Sequence, residues 1–187
     1  MFVVELVAGL IAGSTALLAD SLDNFGDALT YALSLYAVTR SPRTKAKVAI
    51  FKGALILIAG IFVLLQVSYH LFVPVVPIFE IMGITSFVAL LANGTCLLLL
   101  WKHREEDVNM SSVWHCSRND IASNISVFVA AGAVWFTNAS WPDIVIGLGL
   151  AILFLVSAIK VLKAAVIELK KPDFETISIQ TNKSKKD

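Results

Sequence analysis

Apolar residues occur along this chain in runs of about 20, separated by short polar segments. A bilayer core about 30 Å thick needs about 20 helical residues to cross it, so such runs predict transmembrane helices. The pattern predicts an all-α, polytopic membrane protein, a bundle of six helices at residues 1–13, 14–37, 48–71, 81–101, 111–136 and 144–162. These helices form one transmembrane domain, residues 1–171, which a polar tail, residues 172–187, follows.

The first apolar run, residues 1–13, is short for a transmembrane helix, because at 1.5 Å per residue it reaches only about 20 Å. Glu5 is its single charged residue. A secretory signal peptide would carry a basic leading segment and a cleavage site, whereas this run turns at Gly13 directly into the next one. We therefore expect the chain to begin inside its first transmembrane helix, so that this helix is truncated.

The overall composition supports a membrane location. Of the 187 residues, 57% are hydrophobic and 16% are charged, and the mean hydropathy is +0.79. A soluble domain of this size cannot bury so much apolar surface. No nucleophile with a positioned base is visible in the sequence, so we predict that the chain is not an enzyme. The net charge of +1 provides no basic surface for nucleic acid. Cys96 and Cys116 are the only cysteines, which excludes a disulfide framework.

The positions of the cations predict the topology, because Lys and Arg in short loops are retained on the cytoplasmic side. All of them except Arg118 lie near the second-to-third connection, near the fourth-to-fifth connection, or after residue 159. The connections around Gly13, Pro74 and Ser140 contain none. We therefore predict an integral membrane protein with both termini and the polar tail in the cytoplasm, and we expect the membrane to be the bacterial inner membrane.

Two of the predicted helices contain ionisable residues, which are costly in a bilayer interior and therefore indicate a functional site. The second helix contains Asp20, Asp23, Asn24 and Asp27, and the fifth contains His115, Cys116, Arg118 and Asp120. Residues four apart lie on one face of a helix, which pairs Asp23 with Asp27 and Cys116 with Asp120. At 1.5 Å per residue both pairs fall near the middle of the membrane.

Three carboxylates and one thiolate at the same depth predict a four-coordinate site for Zn²⁺ or a similar divalent ion. We predict Asp23, Asp27, Cys116 and Asp120 as the ligands of this ion, and we expect no other, permanently bound cofactor. The candidate auxiliary residues are Asp20, His115, Asn24 and Arg118. Arg118 either neutralises a carboxylate such as Asp20 or extends to the cytoplasmic surface. The alternative is that the polar residues only hold helices together. We expect Cys96, which lies on a run of leucines, to act only as a small apolar residue.

Two segments resemble the cation diffusion facilitator family. Residues 5–27, ELVAGLIAGSTALLADSLDNFGD, resemble its first and second spans, and residues 109–127, NMSSVWHCSRNDIASNISV, resemble its fifth. The family's second span carries a His or Asp that is followed four residues later by an Asp, and these two positions correspond to Asp23 and Asp27. Its fifth-span His and Asp fall on Cys116 and Asp120. Because Cys116 takes the His position, we expect Zn²⁺, Cd²⁺ or Co²⁺ to be preferred over Mn²⁺. Asn93 and residues 141–143 also fit the family.

The resemblance implies that a divalent cation is exported from the cytoplasm in exchange for protons. Metal ligands must lose their protons to bind an ion, so protons and the metal ion compete for the same ligand atoms. The family usually has a soluble metal-binding domain after the sixth span, to which it assigns dimerisation, and a homodimer is one assembly that the resemblance implies. Two alternatives remain: a metal-free membrane scaffold, and a proton-coupled exporter of organic cations that would not need Cys116.

Overall fold

The computed structural model describes residues 1–37, 41–101 and 108–170, and it describes the backbone alone for residues 34–37, 42, 100 and 108–116. These ranges contain six helices and no strand: α1 (Phe2–Ala12), α2 (Thr15–Ala37), α3 (Pro42–Phe72), α4 (Phe79–Leu100), α5 (Val108–Thr137) and α6 (Trp141–Lys170). The predicted all-α bundle is confirmed. The predicted tail, residues 172–187, lies outside the described ranges.

Two helices extend past the apolar runs that predicted them. α3 begins at Pro42 rather than at residue 48, because the Ser41 side chain accepts a hydrogen bond from the Thr44 N–H and proline fits the first turn of a helix. α6 continues to Lys170 rather than ending at residue 162. An apolar run therefore marks the part of a helix that is apolar enough to cross the membrane, and the helix itself continues into the polar region.

Four helices of the described part are long and apolar enough to cross a bilayer, at Arg43–Phe72, Phe79–Leu99, Ser117–Thr137 and Trp141–Lys170. α1 is apolar but has only 11 residues, and α2 has 23 residues that include Asp20, Asp23 and Asp27. Large apolar side chains such as Phe62, Leu65 and Leu153 are exposed on the surface of the bundle. The chain is an integral membrane protein, and these side chains are available to contact lipid.

α2 occupies the centre of the bundle, where it contacts α1, α3, α5 and α6. α3 packs along α6, and α4 packs along α5. One apolar cluster joins α2 to α3 and α6 through residues such as Leu22, Val63 and Phe154. A second cluster joins α2 to α4 and α5 around Leu17, Met82 and Val127. Asp20 and Ser21 of α2 are thus buried among neighbouring helices, and Asp23 and Asp27 are partly buried.

The connections α1–α2, α3–α4 and α5–α6 lie together at one end of the bundle. The Ile78 N–H donates a hydrogen bond to the Ala12 carbonyl at 3.0 Å, and the Ser14 hydroxyl donates one to Asp143 at 2.6 Å. Gly13 ends α1 in the left-handed conformation, with φ of 64°, which glycine adopts without steric cost. The cations at the start of α3 and at the end of α6 are consequently at the opposite end.

Candidate metal centre

Asp143, in the first turn of α6, caps the N-terminus of α2. Its carboxylate accepts hydrogen bonds from the Ser14 hydroxyl at 2.6 Å, the Thr15 N–H at 2.7 Å, the Thr15 hydroxyl at 2.8 Å and the Ala16 N–H at 3.1 Å. The first N–H groups of a helix have no partner within it, and negative charge is favourable at this position. Asp143 is 1% exposed, so this buried cap fixes where α2 begins relative to α6.

Gly147 lies one turn after Asp143 and allows α6 to approach the same segment of α2. A Cβ atom at Gly147 would lie 2.6 Å from the Thr15 hydroxyl oxygen and 2.8 Å from the Thr15 carbonyl carbon. Real Cβ atoms essentially never approach so closely. Glycine therefore lets the backbones meet, and Asp143 can reach its partners.

Asp20 joins α2 to α5 deeper in the bundle. It is 1% exposed, and the Ser123 hydroxyl donates a hydrogen bond to its Oδ1 atom at 2.5 Å. Its Oδ2 atom is buried and has no hydrogen-bond partner in the described part of the chain. Arg118, for which one of the two predicted roles was to neutralise Asp20, is exposed on α5. Ser123 thus holds Asp20 at the α2–α5 interface.

Asp27 and Asp120 line one cavity from two different helices. This cavity of about 440 Å³ lies between α2, α4 and α5. Its polar lining consists of Asn24, Asp27, Asn93, Ser117 and Asp120, and its other lining residues are Ala28, Tyr31, Cys96 and Leu99. The structure therefore brings together one predicted ligand from each of the two predicted helices.

Asp23 lies on the other side of the α2–α5 interface. It lines a second cavity of about 400 Å³ between α2, α5 and α6, together with polar residues that include Asn119, Ser126 and Lys160. Its carboxylate still interacts electrostatically with those of Asp27 and Asp120. Asp23 thus lines a different cavity from Asp27 and Asp120, and the α2–α5 interface lies between the two cavities.

Cys116 and His115 lie on the helical backbone of α5, and their side chains are outside the part that the structure describes. Among the described side chains, no group of three or more His, Cys, Asp and Glu residues is arranged to hold a metal ion. The side chain of Cys116 is not among those described. The four-ligand set of Asp23, Asp27, Cys116 and Asp120 therefore stays a prediction.

Sequence reasoning missed the role of Glu5, which it treated only as a charge within an apolar run. Glu5 is 0% exposed, and its Oε2 atom accepts a hydrogen bond of 2.6 Å from the Asn24 side-chain amide. A lone carboxylate inside an apolar helix was the available signal, since such residues rarely occur without a partner. Glu5 connects α1 to the segment of α2 that contains Asp23 and Asp27.

The fold and the site together define a class: a polytopic helical membrane protein with carboxylates that line intramembrane cavities, an arrangement typical of ion pathways. Residues 1–169 match the family model described as the cation efflux transmembrane domain. The chain belongs to this family, the cation diffusion facilitators, and the predicted resemblance is confirmed.

Two zinc transporters are similar to this chain in sequence. The chain is 28% identical to the zinc transporter ZitB of Yersinia pestis, over 99% of this chain and 63% of the relative. It is 27% identical to the zinc transporter ZitB of Yersinia pseudotuberculosis serotype I, again over 99% of this chain and 63% of the relative. The chain thus spans less than two thirds of the length of these relatives.

Proposed function

We propose that this chain is a divalent metal cation transporter rather than an enzyme, and that it exports Zn²⁺ or a similar ion from the cytoplasm. The observation that carries the proposal is the shared cavity of Asp27 and Asp120, which presents carboxylates from α2 and α5 to the same space. The electrostatic interaction of Asp23 with both carboxylates supports the same location. Carboxylates at a cavity within the membrane stabilise a divalent ion that has lost its hydration shell.

The proposed ligands are Asp23, Asp27, Cys116 and Asp120, with His115 as an auxiliary ligand during entry. Carboxylate oxygens bind many divalent ions, whereas a thiolate favours borderline and soft ones. A site that combines them is suited to Zn²⁺, Cd²⁺ and Co²⁺, and less to Mn²⁺. The ion is the substrate of the protein and not a resident cofactor.

We propose that protons move in the opposite direction, because the same carboxylates and thiol bind either protons or the metal. The cavities on the two sides of the α2–α5 interface suggest how access could alternate, with α2 and α5 moving against their neighbours. The cations at the start of α3 and at the end of α6 support a cytoplasmic location of both termini under the positive-inside rule. The membrane would be the bacterial inner membrane, and the protein could act there as a homodimer.

The test is metal uptake into inside-out vesicles that contain the purified chain, with a pH-sensitive dye inside. In wild type, we expect Zn²⁺, Cd²⁺ and Co²⁺ to enter and to drive protons out of the lumen. Asp27→Asn and Asp120→Asn keep the side-chain volume but remove a charged ligand, so each should reduce both fluxes by at least about a hundredfold. Cys116→Ser should lower the Cd²⁺ rate more than the Zn²⁺ rate, because it replaces sulfur with oxygen.

Glu80→Gln is the matched control, since Glu80 is an exposed acidic residue in the first turn of α4, and its uptake rates should equal those of wild type. A folded wild-type protein that moves none of the three metals would contradict the proposal and favour the scaffold alternative. Metal uptake without any change in lumenal pH would refute the proton exchange alone. Uptake of organic cations that is unaffected in Cys116→Ser would favour the alternative of a proton-coupled exporter of organic cations.

A further inference from the structure

The hydrogen bond between Asn24 and Glu5 determines which way the Asn24 amide faces. The Asn24 Nδ2 atom lies 2.6 Å from the Glu5 Oε2 atom. An ionised carboxylate only accepts hydrogen bonds, and in an asparagine side chain only the nitrogen donates them. The nitrogen is therefore the atom that points to Glu5.

The amide oxygen of Asn24 then points away from Glu5. Asn24 lines the cavity that contains Asp27 and Asp120, and Asn24 precedes Asp27 by three residues on α2, which is close to one helical turn. We propose that Glu5 is a positioning residue that holds the Asn24 amide with its oxygen toward this cavity, where it supplies an additional oxygen ligand to the transported divalent cation. This inference rests on the proposed function and names a specificity-determining pair within it.

The surroundings of Glu5 keep it in this position. Glu5 is fully buried, and the rings of Phe2 and Phe25, which flank the pair on α1 and α2, lie 4.9 Å apart between centroids. A Cβ atom at Gly9 would lie 3.0 Å from the Leu18 side chain, so the same two helices also approach closely one turn further along. α1 therefore cannot move Glu5 away from Asn24 without separating from α2.

The pair should influence which metal is selected. An amide oxygen is a hard donor, which Zn²⁺ accepts more readily than Cd²⁺ does. The charge of Glu5 also interacts electrostatically with Asp20 and Asp120, so Glu5 adds negative potential near the proposed ligands. Loss of the Glu5–Asn24 bond frees the amide to rotate and present its N–H groups, which repel a cation. Outer partners of metal ligands typically contribute about 10- to 100-fold in affinity.

The experiment measures Zn²⁺ and Cd²⁺ binding by calorimetry on the purified chain, together with vesicle uptake of both metals. Glu5→Met keeps the length of the side chain without an acceptor, and it should raise the Kd and KM for Zn²⁺ by about tenfold and for Cd²⁺ by less. Asn24→Asp places two carboxylates against each other and should weaken Zn²⁺ binding as well. In the double variant Glu5→Gln/Asn24→Asp, the glutamine amide donates to the new carboxylate, whose second oxygen faces the cavity.

The double variant should restore the Kd for Zn²⁺ to within about threefold of wild type. The discriminating readout is the ratio of the Kd values for Zn²⁺ and Cd²⁺, which Glu5→Met should change and which a purely structural role of Glu5 would leave unchanged. Glu80→Met, the same substitution at an exposed site, should leave both constants unchanged. A folded Glu5→Met variant with wild-type Zn²⁺ affinity, or a folded double variant without recovery, would overturn the inference. If the wild type binds neither metal, the proposed function itself fails, and this inference fails with it. The two failures are therefore distinguishable.

Discussion

Removing the Asp143 carboxylate should destabilise the whole bundle, because this residue caps α2 from α6. Asp143→Ala removes four hydrogen bonds of 2.6 to 3.1 Å. At the average of about 0.6 kcal/mol for a hydrogen bond between membrane helices, they contribute about 2.4 kcal/mol. At about 1.5 kcal/mol each, the lower value for bonds to a charged group, they contribute about 6 kcal/mol. We expect a loss of about 3 to 4 kcal/mol in the free energy of unfolding, between these limits.

The assay is reversible unfolding in mixed detergent micelles, followed by circular dichroism as the denaturing detergent increases. Asp143→Asn keeps one carbonyl oxygen as an acceptor and should lose about half as much stability as Asp143→Ala. The control is Glu80→Ala, which removes an exposed acidic residue from the first turn of α4 and should change stability by less than about 1 kcal/mol. A loss below about 1 kcal/mol for Asp143→Ala would show that water replaces the cap at little cost, and the reasoning would be wrong.

Two further predictions concern α6. Gly147→Ala places a Cβ atom 2.6 Å from the Thr15 hydroxyl oxygen, so it should lower the unfolding free energy by about 2 kcal/mol or more in the same assay. Gly149→Ala, where nothing lies within 4 Å, should be neutral or slightly stabilising. Lys160 lines the cavity of Asp23, and Lys160→Gln should lower the KM for Zn²⁺ by about threefold at low salt, because a positive charge no longer repels the ion. Lys163→Gln, on the same helix but outside that cavity, should leave the KM unchanged, and an equal effect of both variants would exclude a local role for Lys160.

The fold followed from the sequence because membrane helices are determined mainly by apolar length. Each of the six predicted helices overlaps one helix of the described ranges. The predicted turn at Gly13 coincides with the left-handed conformation of that residue. Helix ends were less predictable. The start of α3 depends on the Ser41 cap and Pro42, which are polar-region features that an apolar run does not contain.

The candidate site was only partly predictable. The i, i+4 spacing paired Asp23 with Asp27 on one face of α2, whereas in the structure the two residues line different cavities. Both still interact electrostatically with Asp120 of α5. Spacing within one helix does not reveal which neighbouring helix a residue meets. Glu5 and Asp143 have partners 19 and 129 residues away in the chain, so only tertiary packing assigns their roles. For the same reason, the two cavities on either side of α2 and α5 were not foreseen.

The cap on α2 also constrains the order in which the protein can be assembled. Thr15 and Asp143 are separated by 128 residues, so α2 is synthesised long before its capping group exists. Until α6 enters the membrane, the first N–H groups of α2 must be satisfied by water or lipid headgroups at the bilayer surface. Arrival of the last helix therefore completes the second one, and a ribosome that stops before residue 143 leaves α2 without its cap.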